Sequence, residues 1–72
     1  MNVKQLISTC SQRYIEVIIR DNLATPVAKG NLISILNNRF HSISKHITCE
    51  ELLKSEVYCF CFLREKLYVT LK

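Results

Sequence analysis

The sequence predicts an α+β fold: two main helices, a short third helix and a C-terminal antiparallel β-hairpin, in one small domain spanning 1–72 that is expected to dimerise. Three observations carry this expectation. Apolar residues recur at helical spacing through the first half of the chain. Thr48-Cys-Glu-Glu51 has the form of a helix start. The last sixteen residues, Val57-Tyr-Cys-Phe-Cys-Phe-Leu-Arg-Glu-Lys-Leu-Tyr-Val-Thr-Leu-Lys72, read as two strands apolar on both faces. A small domain covers only one face of such a hairpin, and the simplest cover for the other is a second copy of the chain.

Val3, Leu6, Ile7, Cys10, Tyr14, Val17 and Ile18 are spaced three and four apart, which predicts an amphipathic helix over 2–22. A competing pattern lies inside it. Ile15, Val17, Ile18 and Ile19 are β-branched and suit a strand over Tyr14–Arg20. On the helical reading, Ile15 and Ile19 fall off the core stripe and form a second apolar patch.

Thr25-Pro26 is a start signal, because proline at a first helical position gives up only an N–H that has no partner there. The second helix is expected over 26–43, with Leu32, Ile33, Leu36, Phe40 and Ile43 inward. Its opposite face carries Gly30, Asn31, Ser34, Asn37, Asn38, His41 and Ser42, which is small, polar and nearly uncharged. Thr48 and Glu51 then form a capping box, with Ile47 and Leu52 as a hydrophobic staple, and start a short helix near 49–55.

The hairpin is expected over 57–71. Arg64-Glu65-Lys66 contains no Gly, Asn or Asp, which argues against a two-residue turn and for a loop of three to five residues. A three-residue loop aligns Val57, Cys59, Cys61, Leu63, Leu67, Val69 and Leu71 on one face, and Tyr58, Phe60, Phe62, Tyr68, Thr70 and Lys72 on the other. A two-residue loop scrambles this division, because a one-residue slip carries a whole strand's side chains across the sheet. The expected core is Leu6, Cys10, Val17, Leu32, Leu36, Phe40, Leu52, Cys61 and Val69.

Composition narrows the function. Seventy-two residues, 49% apolar with one glycine and one proline, make a folded unit without a long linker. A core of this size is marginal, so an oligomer, a metal or disulfides are the usual supports. The N-terminus has no apolar signal core and no stretch approaches the length of a membrane span, so a cytoplasmic protein that does not enter the membrane is expected. In a reducing compartment Cys10, Cys49, Cys59 and Cys61 are expected to be free core thiols. Cys59-x-Cys61, Cys49, His46 and His41 include zinc-ligand types, but two alternate residues of an apolar strand lack the knuckle spacing of structural sites. No metal or cofactor is expected. Without any nucleophile elbow, zinc-protease or phosphate-loop motif, the chain is expected not to be an enzyme.

The formal charge of +4 favours nucleic acid or an acidic partner. All six acids lie outside residues 22–49, while Lys29, Arg39, Lys45, His41 and His46 lie inside. One expected function is therefore a dimeric DNA-binding regulator. Lys29, Arg39 and Lys45 would neutralise phosphates, and Asn31, Ser34, Asn37, Asn38 and His41 would offer polar contacts. The alternative is a protein-interaction module (an inhibitor, adaptor or antitoxin-like partner) acting through an apolar helix or hairpin surface. In either case Tyr58, Phe60, Phe62 and Tyr68 are the expected dimer or partner interface. A base-stacking role for these aromatics would need interleaved cations, and only Lys72 has the right parity.

Overall fold

The computed structural model describes residues 1–37, 41–42 and 48–72, with the backbone alone at His41, Ser42 and Cys49. The elements run α1 (Val3–Ser8), β1 (Glu16–Arg20), β2 (Pro26–Asn31), α2 (Leu32–Leu36), β3 (His41–Ser42), α3 (Cys49–Lys54), β4 (Val57–Leu63) and β5 (Lys66–Leu71). The strands form one mixed sheet in the order β3-β2-β1-β5-β4. β1 pairs with β5 in parallel, and every other pairing is antiparallel.

The class is α+β as expected, but the long helices are not. The segment 2–22 divides into a six-residue helix and a strand. Asn2 opens α1 with a capping box to Gln5. The helix ends because Ser8 Oγ donates to the Lys4 carbonyl (2.6 Å) and Thr9 Oγ1 to the Leu6 carbonyl (2.7 Å), local bonds that compete with continuing helix. In β1, Val17 and Ile19 are fully buried while Glu16, Ile18 and Arg20 alternate outward. The β-branched run thus takes the pleated surface it suits. Ile15 and Ile19 are core residues, not a second patch.

The expected helix 26–43 also gives way. Pro26 opens a strand, where its missing N–H costs no ladder bond. Asn31 then serves as both the last residue of β2 and the N-cap of the five-residue α2, its Oδ1 accepting the Ser34 N–H at 2.8 Å. Leu32 is buried as expected, Leu36 only half so, and Ile35 supplies the buried position instead. Phe40 and Ile43, expected on the same stripe, lie outside the described residues. α3 forms as predicted with the full Thr48/Glu51 capping box, while the staple partner Ile47 lies outside the described residues.

β4 and β5 do pair antiparallel, but not as a hairpin standing apart. β5 is an inner strand held by β1 on one side and β4 on the other, so the segment Leu67–Lys72 presents no free edge. The core lies between one sheet face and the helices. Val17, Ile19, Ala28, Leu67, Val69 and Leu71 of the sheet meet Val3, Leu6, Ile7, Leu32, Ile35, Leu52 and Leu53. No helix among the described residues is long and apolar enough to cross a membrane.

Candidate interaction edge

The geometry of β4 follows from its turn. Leu63 faces Lys66, so the loop is the two residues Arg64 and Glu65. Both have positive φ (51° and 63°), as a type I′ turn requires. Sequence reasoning disfavoured this turn for want of Gly, Asn or Asp. It forms because β5 must present Leu67, Val69 and Leu71 to the core, and a primed turn matches the twist of the strands that feed it.

The two-residue loop redistributes the aromatics. Phe60 faces Val69 and Phe62 faces Leu67, which places both phenylalanines on the helix side of the sheet. Cys59, Cys61 and Leu63 face Thr70, Tyr68 and Lys66 on the opposite side. Tyr58 lies at the irregularity between Val57 and Cys59. The expected quartet of Tyr58, Phe60, Phe62 and Tyr68 on one face is therefore split, with Tyr68 across the sheet from the phenylalanines.

The helix layer stops short of β4. Tyr58 is 71% exposed, Phe60 45%, Phe62 56% and Leu63 57%, whereas β5 alternates buried and half-buried residues throughout. Cys59 and Cys61 are exposed thiols, so the expectation of core cysteines fails at both, while half-buried Cys10 packs against the core. Between the C-terminal end of α1 and β4 lies an open cleft of about 390 Å³, walled by Leu6, Thr9, Cys10, Phe60 and Phe62 over Leu67.

β4 is also an edge. Residues flanking a two-residue hairpin turn exchange both of their hydrogen bonds, and such pairs alternate along the ladder. Leu63, Cys61 and Cys59 therefore bond to β5, and the N–H and C=O groups of Phe60 and Phe62 point away from the sheet. Among the described residues, only the start of this edge is covered. The Val57 N–H donates to the Met1 carbonyl (2.8 Å), the Val3 N–H donates to the Ser55 carbonyl (3.0 Å), and the N-terminal ammonium meets Glu56 at 3.2 Å.

The opposite sheet face is already engaged with itself. The Arg20 guanidinium lies 5.2 Å from the centre of the Tyr68 ring and donates to Thr70 Oγ1 at 3.3 Å. Lys66 pairs with Glu16 at 3.4 Å. Exposed Lys29 joins this face, in register with Ile18 on one side and His41 on the other.

Those of the residues expected to contact nucleic acid that are described lie on or beside β2, α2 and β3. Lys29 and His41 are brought together, whereas Asn31 is occupied as a helix cap with Ser34 one turn behind it, and Asn37 caps the far end of α2. Asn38, Arg39 and Lys45 lie outside the described residues. Among the described residues, no three His, Cys, Asp or Glu side chains gather as metal ligands would. Sequence reasoning did not find Cys59, Cys61 and Leu63 as surface residues. No local signal marks them, because an uninterrupted apolar run is the pattern of a strand buried on both faces. Comparison with protein-family models, with curated proteins and with solved structures finds no match to this chain.

Proposed function

We propose that this chain is a non-enzymatic protein-interaction module that takes an extended protein segment along the free edge of β4. The observation that carries the proposal is the continuous exposure of the apolar edge strand from Tyr58 to Leu63. Strand addition draws affinity from main-chain hydrogen bonds and specificity from pockets for alternate side chains. Here Phe60 and Phe62 supply the main-chain groups, and the cleft beside α1 supplies the pocket. Completing the burial of two half-exposed phenylalanines contributes about 1 kcal/mol each. Sheet edges are ordinarily guarded by lysine, proline or inward charge, and none of these stands between Val57 and Leu63.

A pull-down from lysate of the source cell tests the proposal, with the wild-type chain and with Phe60→Glu/Phe62→Glu as bait, each with and without nuclease. Capture of a protein that the double variant loses supports it. Capture that depends on intact nucleic acid and survives the double variant overturns it in favour of the DNA-binding alternative.

A further inference from the structure

We propose that the occupant of the β4 edge is a second copy of this chain, paired antiparallel about a twofold axis beside Cys61, so that two five-stranded sheets become one of ten strands. This rests on β4 being the interaction edge and adds the identity of the partner and the register.

The register follows from which groups are free. Outward-pointing residues must face outward-pointing residues, so an antiparallel self-pairing of this edge centres on Phe60, Cys61 or Phe62. Centring on Phe60 sets Val57 against Leu63 of the partner subunit, but the outward Val57 N–H is already bonded to Met1. Centring on Phe62 sets Phe60 against Arg64 of the partner subunit, whose left-handed backbone (φ 51°) belongs to the turn and cannot extend a ladder. Centring on Cys61 pairs residues 59 to 63 of both copies, all within strand and none blocked. Phe60 then exchanges two backbone hydrogen bonds with Phe62 of the partner subunit, and the symmetry repeats the exchange.

This arrangement uses what one copy leaves exposed. The axis is perpendicular to the sheet, so both helix layers lie on the same side. The four phenylalanines meet there, between the two α1 clefts. Complete burial of the residual exposure of Tyr58, Phe60, Phe62 and Leu63 sets an upper bound on the order of 450 Å² per copy, with both thiols left on the open sheet face. The total, at most roughly 900 Å², falls in the size class of weak, reversible associations and suits a dimer that forms at tens of micromolar. β4 carries no charge from Val57 to Leu63, so joining two chains of net charge +4 sets no like charges opposite each other in the ladder.

The Cys61 thiols report the register. At a pair that does not exchange hydrogen bonds, the Cα atoms lie about 4.5 Å apart, within the span a disulfide closes. The two Cys59 residues, displaced four positions along the strand, are at least about 13 Å apart.

The test combines sedimentation of the wild-type chain at tens of micromolar with oxidative cross-linking of two variants. One retains only Cys61 (Cys10, Cys49 and Cys59 to Ser). The other retains only Cys59, which is also exposed and controls for random collision. The expected result is a species of twice 8.4 kDa, with Cys61 linking about a hundredfold faster than Cys59, the advantage of millimolar effective concentration over dilute encounter. Linking of Cys59 as fast as Cys61 overturns the register. A monomer at 8.4 kDa overturns the inference outright. If that monomer still captures a protein through Phe60 and Phe62, the edge reading stands without self-pairing, and if it captures none, both fall.

Discussion

At the scale of single residues, the fold depends on a small set of side chains with no exposure at all. Val3, Ile7, Val17, Ile19, Ile35, Leu52 and Val69 are completely buried between the helices and one sheet face. Ile35→Ala should cost about 2–5 kcal/mol, because α2 is too short to close over the gap. Leu36→Ala, at the half-buried neighbouring position, should cost clearly less. Urea denaturation of the two variants checks the order, and an equal loss would mean that α2 is rotated from the orientation described. The thiols give an independent reading of the same surface. Cys59 and Cys61 should react with a thiol reagent without denaturant, and half-buried Cys10 more slowly. A chain in which all described thiols wait for denaturant would place β4 under cover.

At the scale of elements, α3 was legible from the sequence because both halves of its capping box are local: Thr48 binds the Glu51 N–H at 3.2 Å and Glu51 reaches back to the Thr48 N–H. The buried parity of Leu67, Val69 and Leu71 was equally legible, as strict alternation. The long first helix was misread because spacings of three and four link Leu6 and Cys10 of the α1 region to Val17 of β1 without a break. The β-branched content of Glu16–Arg20 was the better witness. The exposure of β4 was not legible as an edge, because it depends on the non-local parallel pairing of β1 with β5, which no local spacing announces.

The β4–β5 turn supplies a prediction at this same scale. Holding Arg64 and Glu65 in the left-handed region costs about 1 kcal/mol or more per residue. Glu65→Gly should therefore stabilise the fold by about 0.5–1 kcal/mol after the greater freedom of glycine in the unfolded chain is counted. The expected signature is a higher urea midpoint at an unchanged slope. A loss of stability would indicate the longer loop that the composition of the turn favours, with φ at position 65 negative.

At the scale of the whole molecule, the sheet is covered on one face by three short helices and on the other by long side chains folded over it, chiefly Arg20 upon Tyr68 and Lys66 against Glu16. Among the described residues, the apolar edge of β4 is the longest exposed apolar run, and the net charge of +4 is carried elsewhere. That separation gives self-pairing and phosphate binding opposite responses to salt. Pairing through an uncharged edge must overcome only the mutual repulsion of two cationic chains, so screening should leave it unchanged or strengthen it. Binding to nucleic acid through Lys29 and its neighbours should weaken steeply, because bound phosphates release counterions. In a ten-strand dimer unfolding also separates two chains, so the melting temperature should rise by about 3–6 °C for each tenfold increase in protein concentration. That slope should persist from low to moderate salt and vanish in Phe60→Glu/Phe62→Glu. A melting temperature independent of concentration at every salt level would leave the edge of β4 without a second copy, and would return the basic segment to first place among the surfaces that act.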